Sequence, residues 1–103
     1  VVSSSLHPSK LLTVVCESSL EEEVASALVR HGARGYTVTD ARGLGAHGLR
    51  DGSWSAGANI RFEVLCCEAT ALALLAMLEE HYFADYYMVA FLSDIQVLRP
   101  AKF

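Results

Sequence analysis

Positive charge is scarce in this 103-residue chain: Lys and Arg number 8 against 12 Asp and Glu, a formal net charge of −4 with an isoelectric point near 5.4. The electrostatic footprint of a protein that tracks nucleic-acid backbone or anionic lipid is missing, so nucleic acid is not an expected partner. Cysteine is sparse as well. Cys16, Cys66 and Cys67 are an odd set that cannot close into a paired framework, and a bridge between the adjacent two would be strained. A reducing cytoplasm is the expected compartment. No His or Cys spacing resembles a zinc site. Long apolar runs are absent too: the longest, Ala69 to Leu78 with Thr70 inside it, has about half the ~20 residues a membrane span requires, and no secretory leader pattern precedes it.

Apolar residues, by contrast, are plentiful. They make up 52% of the chain against 19% charged, and the mean hydropathy is +0.31, which excludes disorder. A single domain over residues 1–103 is expected, and one of this size buries only roughly 60 to 65 per cent of its unfolded surface when alone. An oligomer is the economical way to hide the rest.

Lys10 to Cys16 (KLLTVVC) is a β-branched run of strand length. Ser18 and Ser19, followed three residues on by Glu21 and Glu22, form a capping-box signature that predicts a helix start. Leu20, Val24, Ala27, Leu28 and His31 then recur at helical spacing, and Gly32 supplies a left-handed stop. Gly35 to Asp40 reads as a second strand. From Asn59 to Cys67 the pattern alternates, with Ile60, Phe62, Val64 and Cys66 on one face and Arg61, Glu63 and Leu65 on the other. Ala69 to about His81 predicts a second helix whose apolar positions cover more than one face, hence burial on two sides. Tyr86 to Leu98 predicts a long last strand, broken at Ser93 and Asp94. The order strand, helix, strand, repeated once, is the α+β ferredoxin-like βαββαβ plan with right-handed crossovers.

One connection breaks the economy. Ala41 to Ala58 (ARGLGAHGLRDGSWSAGA) is 18 residues long, beyond the ~12 to 15 at which structureless loops become uncommon. Arg34, Arg42, Arg50 and Arg61 lie in or around it against only Asp40 and Asp51, so this stretch is locally positive in an acidic protein. Gly43, Gly45 and Gly48 fit GxGxxG, but a strand follows where a dinucleotide site needs a helix. A Rossmann site is therefore rejected, and no Walker A motif occurs. Glycine-rich backbone can still cradle an anion, with Arg42, His47 and Arg50 beside it. From the loop alone that reading and a solvated hairpin tip stand level.

The run Gly35 to Gly48, GYTVTDARGLGAHG, resembles the passage that ends the second strand and opens the T-loop of PII signalling proteins, trimeric ferredoxin-like nucleotide sensors. NIRFEVL after the loop, HYFADYY at the end of the second helix and a last strand closing at Val97 to Arg99 continue the likeness over nearly all of Leu11 to Arg99. In those details the chain is most similar to the PII-like branch associated with bicarbonate uptake and carboxysomes (SbtB and CPII types). By position, the resemblance implies that Thr37 faces an adenine and that Gly43 and Gly45 stand at the T-loop entrance. It implies too that His47, Gly48 and Arg50 lie along a phosphate-binding stretch, and that Arg99 reaches the nucleotide from the last strand. Glu80 to Met88 lacks the glycine-rich B-loop that wraps the terminal phosphates of ATP, and Ala46 replaces a phosphate-binding arginine. ADP or AMP are thus favoured over ATP, with cyclic AMP a further candidate. The resemblance further implies a homotrimer, bicarbonate as a second ligand sharing Arg42, Arg50 or Arg61, and an inorganic-carbon transporter at the membrane as partner.

Other residues have plainer roles. His7, His31 and His81 stand at a terminus and two helix ends, where a cation suits the macrodipole, and no metal is expected. Trp54, a large aromatic in a polar loop, is expected to contact a partner or subunit. Tyr82, Phe83, Tyr86 and Tyr87 are expected to form a core and subunit-interface cluster. His47, Asp51, Ser53 and Ser55 have no fixed scaffold around them, so no enzyme is expected. The competing readings are a nucleotide-independent trimer of the CutA kind that takes metal, and a weak nucleotide hydrolase.

Overall fold

The computed structural model describes residues 5–43 and 59–98. Strand β1 (His7–Glu17) leads through a 3₁₀ turn (Ser18–Leu20) into helix α1 (Glu21–Arg30). Strands β2 (Thr37–Ala41) and β3 (Asn59–Cys66) precede helix α2 (Glu68–His81) and strand β4 (Met88–Val97). The sheet order is β2-β3-β1-β4 with every neighbouring pair antiparallel. This is the expected ferredoxin-like arrangement, in which both helices cover one face of the sheet.

Alternation decides which side chains go under the helices. Leu12, Val14 and Cys16 of β1, Ile60, Phe62, Val64 and Cys66 of β3, and Met88 of β4 are buried together with Val24, Leu28, Leu74 and Leu78 from the helices. Each large side chain fully removed from water contributes about 1.5 to 3 kcal/mol. Gly32 ends α1 at φ 118°, a conformation in which any other residue is strained, and a β-carbon there would touch the Thr70 Cγ2 at 3.4 Å. Gly32→Ala should therefore lower the unfolding free energy by about 1 to 2 kcal/mol in a denaturant titration, whereas Gly35→Ala, with open space around it, should not.

Four local expectations are corrected. The capping box does not form: Ser18 to Leu20 make the 3₁₀ turn, Leu20 takes the cap position of α1 without a side-chain hydrogen bond, and the Ser19 hydroxyl turns to Glu17 (3.4 Å). The last strand is unbroken, because Ser93 pairs with Leu11 and Asp94 with Lys10, whose ammonium it binds. Helix α2 buries one face only (Ala71, Leu74, Met77, Leu78), leaving Leu72 53% exposed. One sheet lies on one side of it, and among the described residues no second layer covers the other. Cys67 leaves the strand alternation to become the cap residue of α2. Of the aromatic group, Tyr82 is buried and stacks obliquely on Tyr86, while Phe83 and Tyr86 are exposed in the single chain.

Candidate functional site

The face of the sheet away from the helices has two halves. Because Val38 packs inward beside Phe62, its neighbours Thr37 and Thr39 lie on the opposite, open face. Thr37 sits opposite Glu63 and Thr39 opposite Arg61, and cross-strand partners on one face are in side-chain contact range. The Arg61 guanidinium donates to the Glu63 carboxylate at 2.7 Å. This polar half belongs to β2 and β3. On β1 and β4 the same rows continue as Thr13 with Phe91 and Val15 with Val89. Phe91 is 50% exposed and Val89 39%, so an apolar strip borders the polar one.

The polar half runs to the base of the long loop. Ala41, the last residue of β2, pairs with Asn59, the first residue of β3, and Asn59 pairs on its other side with Glu17. Arg42 and Gly43 follow Ala41 and are exposed. Among the described residues no neighbour lies within 4 Å of where a β-carbon of Gly43 would stand. Asn59 is only 9% exposed, and its Oδ1 is buried without a hydrogen-bond partner. An acceptor in that condition costs about 1 to 3 kcal/mol until a donor reaches it.

Of the residues singled out from the sequence, Thr37, Arg42, Gly43 and Arg61 thus gather at one edge of the open face and at the loop base. Gly45, His47, Gly48, Arg50, Trp54 and Arg99, with the rest of loop 44–58, lie outside the described residues. Two polar groups at this edge escape a reading of the sequence. The period-two pattern places Glu63 beside Arg61, but only the β2–β3 register sets it against Thr37. Asn59 reads in the sequence simply as a strand start.

A second concavity lies at the other end of β3, about 23 Å along the strand at ~3.3 Å per residue. It is a cleft of about 830 Å³ whose lining includes Ser9, Lys10, Cys67, Glu68, Asp94 and Gln96. Lys10 is already committed to Asp94 and, at 3.9 Å, to Glu68, so among the described residues the cleft offers no free cation to an anionic ligand. Its notable group is the exposed Cys67 thiol, which is 3.4 Å from the Thr70 hydroxyl and is held below the usual thiol range by that hydrogen bond. Burial pushes Cys16 up to about 11 and Cys66 upward. In the native protein iodoacetamide should therefore alkylate Cys67 alone, faster as pH rises through its lowered pKa, and mass mapping of the labelled peptides checks this. Among the described residues no group of three or more His, Cys, Asp or Glu suits a metal, and no helix is long and apolar enough to cross a membrane.

Known proteins share this arrangement. A PII-like signalling protein of Thermus thermophilus is 41% identical, with 91% of this chain and 92% of that one covered at a TM-score of 0.77. CPII of Thiomonas intermedia, bound to ADP and bicarbonate, is 33% identical over 94% of this chain and 95% of that one, at a TM-score of 0.81. The same protein bound to ADP, AMP and bicarbonate aligns over 95% and 99% with 31% identity and a TM-score of 0.75. Residues 9–102 match the family model of the nitrogen regulatory protein P-II, and the chain accordingly belongs to the P-II family of signalling proteins.

Proposed function

We propose that this protein is a trimeric adenine-nucleotide sensor that favours ADP or AMP, takes bicarbonate as a second input, and reports both through its T-loop. The observation that supports this most directly is the pairing of motif and place. Thr37 of the GYTVTDARG run lies on the edge strand of an open sheet face, with Arg42 and Gly43 just past the end of that strand, and an exposed apolar strip suited to a neighbouring subunit lies on the same face. In such an assembly the adenine lies against Thr37 at the seam between subunits, and the phosphates extend over Arg42 and Gly43 toward His47, Gly48 and Arg50. Arg99, two residues past the end of β4 in the sequence, closes the phosphate end. Thiomonas intermedia CPII, a relative with the same fold, binds ADP and bicarbonate.

The T-loop is the output in this reading. Fixing a residue's backbone costs roughly 1 to 2 kcal/mol, and a charge-assisted hydrogen bond returns only ~1.5 to 3. Two or three phosphate contacts therefore order the loop base, from Gly43 to Arg50, and leave Asp51 to Ala58 to bicarbonate or a protein partner. Trp54, within that outer part, is the anchor for the partner, an inorganic-carbon transporter or another protein of carbon uptake. The protein works in the cytoplasm, drawn to the membrane by that partner, and regulation needs no catalytic step.

Calorimetry with AMP, ADP, ATP and cyclic AMP tests the reading. ADP and AMP should give saturable heats, with ATP and cyclic AMP weaker. Negligible heats for all four would contradict it. A metal titration that saturates while the nucleotides stay silent would favour the CutA-like alternative.

A further inference from the structure

We propose that Asn59 is the residue by which this protein recognises bicarbonate as a protonated anion, its Oδ1 accepting the O–H that acetate and nitrate lack. The assignment rests on bicarbonate being a ligand, as read above, and names the group that selects it. Asn59 is the first residue of β3, wedged between Ala41 where the chain leaves the sheet for the loop and Glu17 at the end of β1. Its Oδ1 is the one buried side-chain oxygen or nitrogen among the described residues that lacks a hydrogen-bond partner. Buried acceptors of this kind are rare and call for a donor.

The surroundings narrow the donor's identity. Arg42 follows Ala41, which pairs with Asn59, and brings positive charge to the loop base for an anion, whereas Arg61, two residues along β3 on the same face, is already paired with Glu63. An anion without a proton would set its oxygens against Oδ1, acceptor against acceptor. The Glu17 carboxylate, opposite Asn59 on β1, adds to that repulsion and weighs against a doubly charged carbonate. Bicarbonate satisfies both demands, because one oxygen carries a hydrogen and the other two share the negative charge. A carboxamide presents an acceptor and a donor side by side, and bicarbonate presents the mating pair. Oδ1 is buried in the single chain.

The test begins by titrating the full chain with ADP and then, at saturating ADP, with bicarbonate, acetate and nitrate in turn. The parent should bind bicarbonate at least about tenfold more tightly than acetate or nitrate, the scale of one neutral hydrogen bond. Asn59→Leu, similar in volume and without either polar atom, should bring bicarbonate down to the level of acetate while ADP affinity stays within about twofold. Its melting temperature should not fall, since it removes an unmet acceptor. Equal affinity of the ADP-loaded parent for the three anions overturns the assignment, with no variant needed. A bicarbonate preference retained by Asn59→Leu overturns it as well. Absence of ADP binding to the parent instead removes the nucleotide-sensor reading itself, so the two failures are distinguishable.

Discussion

Phe91→Glu is expected to turn the proposed trimer into single chains and, with that, to abolish nucleotide binding. Phe91 projects from the middle of β4 on the open face, 50% exposed in one chain, in one row with Thr13 and Glu63 and beside Val89. Each ring buried at a subunit seam contributes about 1.5 to 3 kcal/mol, and a trimer counts it three times. Glutamate removes that contribution and asks the seam to bury an unpaired carboxylate, whose desolvation adds several kcal/mol. Sedimentation should move from a three-chain to a one-chain species. The fold itself should survive, because Phe91 lies on the face away from the Leu12, Phe62 and Leu74 core, and an unchanged far-ultraviolet circular dichroism spectrum checks that. A variant that stays trimeric would place the subunit seam elsewhere.

Arg50→Ala carries the second large effect. In the function proposed above Arg50 meets the phosphates, and a charge-assisted hydrogen bond from it is worth about 1.5 to 3 kcal/mol, so its loss should weaken ADP binding roughly 10- to 150-fold. AMP should lose less than ADP if Arg50 meets the terminal phosphate. Arg61→Ala should cost far less for either nucleotide. Its guanidinium is half exposed and already paired with Glu63, and such surface pairs are worth about 0.2 to 1 kcal/mol. Equal losses for the two variants would contradict the assignment of Arg50 to the phosphates.

The legibility of this molecule follows the physics that writes itself locally. Ile60, Phe62, Val64 and Cys66 alternate because β3 has the helices on one side only, and the structure buries those four residues. Gly32 can be read as a helix stop because no other residue tolerates its backbone. Features decided by long-range pairing are not legible. Ser93 and Asp94 look like a strand break until Lys10, 84 residues earlier, is seen to hold Asp94. The serines before α1 look like caps until the 3₁₀ turn takes their place. Leu72 and its neighbours promise a helix buried on two sides, whereas among the described residues a single layer covers it. At the site, the motif locates Thr37 and Gly43 by resemblance, but the closeness of Glu63 to Thr37 is a property of register. The unmet oxygen of Asn59 is a property of packing, which no spacing rule reports.

The most direct test of nucleotide sensing at subunit seams is a native mass spectrum of the protein equilibrated with ADP. The account predicts a species of three 11.2 kDa chains carrying up to three ADP molecules, with no ADP on single chains. ADP retained by an 11.2 kDa monomer, or a trimer whose mass does not change with ADP, would contradict it.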